Sequence, residues 1–86
     1  MILIYGKPDC KYCERAKELC ESSNLEYEYL EIVKDFTRDE LLKKFPDAKT
    51  FPQITISGKA IGGYDQLTRI LLDRVLHIPT LVGEAS

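Results

Sequence analysis

The sequence predicts an α/β fold in which a four-stranded mixed sheet carries three flanking helices. Three observations lead to this prediction. The 86 residues suffice for one domain with one modest core. Along the chain, the spacing of apolar residues is typical in turn of a strand, helix, strand, helix, strand, strand and helix. A Ser-Gly pair between the last two strands indicates an antiparallel hairpin, whereas the first strand-helix-strand unit should close as a right-handed parallel crossover.

The first half of the chain has the pattern of strand, helix and strand. Residues 2–5 are aliphatic and β-branched, and Gly and Pro follow them, which is typical of a short buried strand. From Cys10 to Ser23 small and apolar residues recur at helical spacing, with Asp9 as the expected N-cap. Period-two alternation from Glu26 to about Ile32 predicts the second strand.

A short second helix follows. Thr37 and Glu40 have the T-x-x-E spacing of a capping box. Pro46 is expected to end the helix, because proline clashes with the preceding turn. The apolar stripe of this helix is predicted to be Leu41, Leu42 and Phe45.

The rest of the chain predicts a hairpin and a third helix. Residues 53–56 and 59–61 flank the turn pair Ser57-Gly58. After Gly62-Gly63, helical spacing is found at Leu67, Ile70, Leu71 and Val75. We expect one domain over residues 1–78 and a short tail over 79–86.

Composition and charge exclude several classes of protein. Lys and Arg number 12 against 14 Asp and Glu, a net charge of -2, whereas binding to nucleic acid needs a surplus of positive charge. No apolar run approaches the roughly 20 residues that a membrane span needs. No segment resembles a secretory leader. We therefore expect a protein of the reducing cytoplasm that binds neither nucleic acid nor membranes.

The three cysteines leave one chemistry to consider. An odd number excludes a fully paired disulfide scaffold, and with one His the cysteines do not form a zinc cluster, so we expect no metal. Cys10 and Cys13 form a C-x-x-C motif directly after a strand, where a helix begins. Alone, the motif is as compatible with half a metal site or a chance spacing as it is with redox function. The strand-helix-strand context favours redox function.

The helix start gives this pair its chemistry. Unpaired N–H groups and the helix dipole favour a thiolate, the reactive form of cysteine. Lys7 and Lys11 flank Cys10 and act in the same direction. We expect Cys10 to be the exposed nucleophile and Cys13 a partly covered thiol that resolves a mixed disulfide. Cys20 is seven residues after Cys13, which is about 10.5 Å further along the helix axis. That distance is too long for a disulfide between them, so Cys20 is expected in the core.

Three motifs resemble those of the glutaredoxins, which have the thioredoxin-like fold. Residues 7–13, K-P-D-C-K-Y-C, resemble the family's C-P-Y-C active site with its nearby Lys. Residues 50–52, T-F-P, match the family's T-V-P segment. Residues 61–67, I-G-G-Y-D-Q-L, match its I-G-G-x-x-x-L segment. The motifs stand in family order and spacing, and the resemblance covers about residues 2–75.

The resemblance implies a glutathione-dependent thiol–disulfide oxidoreductase with glutathione as its reductant. The residues that it implies bind glutathione are Lys7, Tyr12, Thr50, Phe51, Pro52, Gly62, Gly63, Tyr64 and Asp65. Pro52 is implied to follow a cis peptide bond that sets the Phe51 backbone beside Cys10. In the sequence alone, an ordinary proline at the start of a strand looks the same.

Each implied contact has a physical basis. Gly62-Gly63 before a helix lets the backbone approach a ligand and aims N–H groups at a carboxylate. Asp65 is placed to take the α-amino group of glutathione, and Lys7 its glycyl carboxylate. Tyr12 is expected to shield the sulfurs and pack on the ligand.

The chain also departs from the family pattern. Lys11 stands where the family usually has Pro, and Gln66 where many members have a second acidic residue. Many members place Arg or Gln thirteen residues before the proline, where this chain has Asp39. Whether Arg38 or Lys49 takes over that carboxylate contact is open.

The function that follows is a dithiol cycle. Cys10 attacks a protein disulfide or a glutathionylated thiol, Cys13 resolves the intermediate, and glutathione restores the dithiol. One alternative is an electron donor for ribonucleotide reductase that thioredoxin reductase reduces. Another is a dimer that shares an iron–sulfur cluster through Cys10 and two glutathiones. We expect a monomer whose partners are glutathione and disulfide-containing or glutathionylated proteins, with ribonucleotide reductase as one candidate.

Overall fold

The computed structural model describes residues 1–76, with the side chains of residues 1–73. Its elements are β1 (Ile2–Gly6), α1 (Lys11–Ser22), β2 (Tyr27–Glu31), α2 (Arg38–Lys44), β3 (Gln53–Ile56), β4 (Lys59–Gly62) and α3 (Tyr64–Leu76). This order confirms the predicted one. The expected packing of Val75, the boundary at residue 78 and the tail over 79–86 lie outside the described residues. None of the helices in the described part is long and apolar enough to cross a membrane.

The four strands form one mixed sheet in the order β2-β1-β3-β4. β1 pairs in parallel with β2, with Ile2 opposite Tyr27 and Gly6 opposite Glu31. β3 is antiparallel to both β1 and β4. The predicted mixed sheet is therefore confirmed. Because β1 and β2 are parallel, the loops after both strands leave from the same edge of the sheet, and the first of these loops leads to Cys10.

The hairpin between β3 and β4 has the turn geometry that its sequence predicts. Ser57 and Gly58 have φ angles of +52° and +81°. Two successive positive φ angles are what a two-residue type I′ turn requires, and its twist matches that of the flanking strands. The N–H of Ser57 also donates to the carbonyl of Met1 at 3.0 Å, which ties the turn to the first strand.

The helices cover both faces of the sheet. On one face α1 and α3 bury a cluster of residues that comprises Ile2, Ile4, Ala16, Cys20, Ile54 and Leu67. On the other face α2 and the loop before it bury Tyr5, Phe36, Leu41 and Phe45. The Tyr5 ring contacts both phenylalanine rings edge to face, with centroids 5.3 Å apart in each case. Cys20 is fully buried and unpaired, as predicted.

The N-cap prediction for α1 was wrong by one residue. Asp9 has a left-handed φ of +55° and stands outside the helix. Cys10 is the N-cap, with φ -114° and ψ 108°, and its sulfur accepts the N–H of Cys13. Sulfur is rarely considered as a cap acceptor, so the usual preference for Asp pointed to the wrong residue.

The second helix is capped as predicted but buries less than expected. Thr37 Oγ1 accepts the N–H of Glu40 at 3.1 Å, and Glu40 Oε1 accepts the N–H of Thr37 at 2.8 Å. Leu41 and Phe45 are buried, whereas Leu42 is 37% exposed. Adjacent residues in a helix point about 100° apart, so this short helix cannot direct both leucines into the core.

Candidate functional site

The two cysteines of the C-x-x-C motif form a disulfide at the start of α1, with Cα atoms 5.2 Å apart. Cys10 is partly exposed, whereas Cys13 is 0% exposed. Cys13 is thus covered more completely than the sequence suggested. An incoming thiolate from solvent therefore reaches this disulfide at Cys10.

The start of α1 favours negative charge on Cys10. The backbone N–H of Cys13 donates to Cys10 Sγ at 3.2 Å, and the positive end of the helix dipole lies at the same place. When the disulfide is reduced, a thiolate on Cys10 accepts this hydrogen bond more strongly than a neutral thiol does. The helix start therefore stabilises the attacking form of Cys10.

A cleft of about 360 Å³ lies where α1, residues 50–52 and the start of α3 meet. We call it the main cleft. Its lining residues are Tyr12, Thr50, Phe51, Pro52, Gly63, Tyr64, Asp65 and Gln66. The fold thus brings together residues from all three sequence motifs. All the residues expected to bind glutathione line the main cleft except Lys7 and Gly62.

The floor of the main cleft is the segment around Pro52. The Phe51–Pro52 peptide bond is cis, as the resemblance implied, and Pro52 is buried. The start of α3 closes tightly against it, because a Cβ on Gly63 would lie 3.1 Å from the carbonyl oxygen of Pro52. A side chain at this position would push the two segments apart.

The two residues outside the lining lie close by. Lys7 Nζ is 5.8 Å from the centroid of the Phe51 ring, which places its positive charge beside the main cleft. Gly62 has a φ of +114°, and a Cβ there would lie 2.8 Å from Gln66 Cγ. Gly62 therefore permits the turn into α3 and does not contribute to the wall.

One expectation about the glycines was wrong. The N–H of Gly63 does not point freely at a ligand, because it donates to Gln66 Oε1 at 2.9 Å. Gln66 is the third residue of α3, and the contact is half of a capping box. The G-x-x-Q spacing is visible in the sequence, but Gln66 was considered only as a departure from the family pattern. Its capping role was missed.

The outer wall of the main cleft is aromatic. Tyr12 is 51% exposed, and its ring centroid lies 5.7 Å from that of Tyr64. The guanidinium of Arg15 lies 5.3 Å from the centroid of the Tyr12 ring. Arg15 was not expected at the site, although its position one turn after Tyr12 on the same helix could have indicated it.

A smaller groove of about 100 Å³ shares Thr50 and Phe51 with the main cleft. We call it the side groove. Its other lining residues are Ile32, Arg38, Leu41, Leu42, Ala48 and Lys49. Both cations that were considered for a carboxylate contact therefore line the same groove, next to Phe51. Asp39 is not part of its lining.

Cys20 takes no part in this site. Burial, followed by the nearby Glu21 carboxylate, raises the pKa of its thiol. Both effects disfavour the thiolate, so the buried thiol is less reactive than an ordinary one. Across residues 1–76, no three His, Cys, Asp or Glu side chains are grouped so that they could hold a metal ion.

The difference between the cysteines predicts a labelling pattern. In the reduced native protein at neutral pH, iodoacetamide should modify Cys10 and leave Cys20 unmodified. In denaturant, all three cysteines should react. Mass spectrometry of the digested protein measures this directly. Labelling of Cys20 at a rate similar to that of Cys10 in the native protein would contradict its burial.

Comparison with known proteins assigns this architecture to a family. The glutaredoxin family model matches residues 2–61. Glutaredoxin 1 of Rickettsia conorii is 41% identical over 69 residues, which is 77% of this chain and 67% of the relative. Glutaredoxin 3 of Escherichia coli is 39% identical over 64 residues, which is 74% of this chain and 77% of the relative.

Solved structures of glutaredoxins have a fold similar to that of this chain. Reduced Escherichia coli glutaredoxin aligns with a TM-score of 0.74 at 30% identity and covers 86% of this chain and 95% of that one. The buckwheat glutaredoxin–glutathione complex aligns with a TM-score of 0.72 at 29% identity, and the alignment covers 87% of this chain and 71% of that one. The similarity therefore extends over most of both chains.

Proposed function

This chain belongs to the glutaredoxin family, and from that premise we propose that glutathione binds in its main cleft with its sulfur directed to Cys10. As a glutaredoxin, the chain is a glutathione-dependent thiol–disulfide oxidoreductase. The observation that carries the proposal is the convergence of the three motifs on one cleft, with the partly exposed Cys10 at the N-cap of the helix that contributes Tyr12.

The reaction moves two electrons from two glutathiones to one disulfide. The Cys10 thiolate attacks a substrate disulfide and expels one thiol, and the Cys13 thiolate then attacks Cys10 and expels the second. The product is the Cys10–Cys13 disulfide that the structure contains. One glutathione thiolate opens this bond at Cys10, and a second attacks the bound glutathione to leave oxidised glutathione and the dithiol.

The charges around the main cleft fit the two ends of the tripeptide. Asp65 lines the cleft at the start of α3 and suits the α-ammonium group of the γ-glutamyl end. Lys7 lies beside Phe51, and Arg38 and Lys49 line the side groove that continues from Phe51. We assign the glycyl carboxylate to this positive end. The peptide groups between the two ends then lie along the Phe51 backbone as a short added strand.

Asp65 should bind substrate without affecting the chemical step. Asp65→Asn is expected to raise KM for a small glutathione mixed disulfide about tenfold and leave kcat unchanged, because a charged hydrogen bond contributes about 1.5–3 kcal/mol. Steady-state kinetics with glutathione reductase measures both constants. Asp47→Asn, at an exposed position outside the main cleft, is the matched control. An equal KM in the Asp65 variant and the wild type would remove Asp65 from the site.

We also propose that the chain works as a cytoplasmic monomer. One chain contributes both cysteines and the main cleft, and the cytoplasm supplies reduced glutathione. Disulfide-containing and glutathionylated proteins are its substrates, with ribonucleotide reductase as one candidate. The competing assembly is a cluster-bridged dimer. Gel filtration and visible absorbance after anaerobic purification distinguish the two, and a brown dimer would contradict the proposal.

The choice of reductant tests the proposed function. Reduction of a small mixed disulfide should proceed with glutathione and glutathione reductase. Thioredoxin reductase in their place should support little turnover. Turnover with thioredoxin reductase alone, and none with glutathione, would assign the chain to the alternative electron-donor role.

A further inference from the structure

The Tyr29 ring occupies the space that a side chain at position 6 would take. Tyr29 lies in β2 opposite Ile4 and packs against the core on the face of the sheet that α1 covers. A Cβ on Gly6 would overlap Tyr29 Oη and would lie 2.6 Å from Cζ and 2.8 Å from Cε1 of the same ring. Gly6 does not have a positive φ angle, so its backbone conformation does not require glycine. The glycine at position 6 therefore makes room for the phenol.

The hydroxyl of Tyr29 reaches the backbone just ahead of the C-x-x-C motif. Its O–H donates to the carbonyl of Lys7 at 3.5 Å, a long hydrogen bond, and Lys7 is three residues before Cys10. Burial, followed by the Glu14 and Glu31 carboxylates, raises the pKa of this phenol. The hydroxyl therefore stays protonated at neutral pH and remains able to donate.

Two residues of α1 hold the Tyr29 ring in this position. Lys17 Nζ lies 4.3 Å from the ring centroid, a distance at which a cation is attracted to the face of an aromatic ring. Lys17 is also paired with Glu14, one turn earlier in the helix, at 3.3 Å. The ring is thus held from α1 while its hydroxyl contacts the segment that joins β1 to α1.

Lys7 is the residue through which this contact affects the site. Its Nζ lies 5.8 Å from the centroid of the Phe51 ring, beside the main cleft, whereas its carbonyl is the group that Tyr29 contacts. We propose that Tyr29 is a positioning residue, which fixes the Lys7 backbone so that the Lys7 ammonium stands at the carboxylate-binding end of the main cleft. The inference rests on the proposed function, in which the glycyl carboxylate of glutathione lies at that end.

The variant Tyr29→Phe removes this contact alone. Phenylalanine keeps the ring over Gly6 and beside Lys17, and loses the hydroxyl that donates to Lys7. For the mixed disulfide of glutathione with 2-mercaptoethanol, we expect KM to rise about threefold with kcat unchanged, because a neutral hydrogen bond makes a modest contribution. Steady-state kinetics with glutathione and glutathione reductase measures both constants.

Tyr27→Phe is the matched control. Tyr27 lies two residues earlier in the same strand, so its side chain is on the same face of the sheet. Its hydroxyl donates to Glu21 at 2.6 Å, near the end of α1 that is remote from Cys10. The control loses a shorter hydrogen bond than Tyr29→Phe does, yet both its KM and its kcat should stay within about 1.5-fold of the wild type.

A double-mutant cycle with Lys7→Gln tests whether Tyr29 acts through Lys7. Lys7→Gln keeps the backbone carbonyl and removes the positive charge, and alone it should raise KM about tenfold. In that background, the addition of Tyr29→Phe should change KM by less than about 1.5-fold, because no ammonium is left to position.

Gly6→Ala disturbs the same contact from the opposite side. Its methyl group takes the place of the phenol, so the hydroxyl of Tyr29 is displaced from Lys7. We expect KM to rise at least about threefold in the wild-type background and less than about 1.5-fold in the Lys7→Gln background.

Four results would count against this assignment. A wild-type KM for Tyr29→Phe, or an equal rise for Tyr27→Phe, would show that the contact with Lys7 positions nothing. The same rise from Tyr29→Phe with and without Lys7→Gln would show that Tyr29 does not act through Lys7. A wild-type KM for Lys7→Gln itself would remove Lys7 from the site, and the inference would fail although the oxidoreductase activity stands. A wild type without turnover on this substrate would instead overturn the proposed function, and the inference with it.

Discussion

Replacement of Cys10 by Ser is expected to abolish turnover of both mixed disulfides and protein disulfides. Cys13 is fully buried and Cys20 lies in the core, so among the cysteines of residues 1–76 Cys10 is the one whose thiol a substrate reaches. A serine hydroxyl stays protonated near neutral pH and does not attack sulfur. We expect a loss of at least about a thousandfold in kcat/KM, measured with glutathione and glutathione reductase.

The matched control for this variant is Cys20→Ala. It removes a cysteine from the same helix without touching the disulfide, and Cys20 lies in the core between α1 and the sheet. Its kcat/KM should stay within about twofold of the wild type in the same assay. Activity of Cys10→Ser within tenfold of the wild type would show that another sulfur attacks the substrate.

Cys13→Ser is expected to separate the two reactions. A glutathione mixed disulfide needs only one protein thiol, because a second glutathione clears the intermediate on Cys10. Reduction of a protein disulfide needs the second thiol, because Cys13 must release the trapped substrate. We therefore expect deglutathionylation within several-fold of the wild type and disulfide reduction lowered at least about a hundredfold.

The measurement uses two substrates with the same variant. A glutathionylated peptide reports the one-thiol reaction, and an insulin-type disulfide reports the two-thiol reaction. The mixed disulfide between Cys13→Ser and the protein substrate should accumulate and be visible on a non-reducing gel. An equal loss in both reactions would show that Cys13 does more than resolve the intermediate.

Local signals in the sequence predict most of the fold. The capping box of Thr37 and Glu40 and the Ser57-Gly58 turn depend on neighbouring residues, and both are present as predicted. The N-cap of α1 was misplaced because the left-handed backbone at Asp9 leaves the capping position to a sulfur. The exposure of Leu42 depends on how the short α2 lies on the sheet, which its own sequence does not specify.

For the site, too, the sequence predicts which residues meet better than it predicts how their side chains contact each other. Motif spacing brings residues from three parts of the chain to the main cleft, which the resemblance implied. The contacts between their side chains were not predicted. That Gln66 takes the N–H of Gly63, and that Arg15 lies over Tyr12, depends on rotamers chosen in the folded protein. These contacts alter one expected role, because the N–H of Gly63 is used to cap α3.

The position of glutathione on the protein tests most directly whether the main cleft is its binding site. Cys13→Ser, labelled with ¹⁵N and converted to its mixed disulfide with glutathione at Cys10, can be compared with its reduced form by amide chemical shifts. If glutathione occupies the main cleft, the largest changes should cluster at Tyr12, Phe51, Gly63 and Asp65 around it. Changes confined to the opposite end of the sheet, near Asn24 and Ser57, would contradict it.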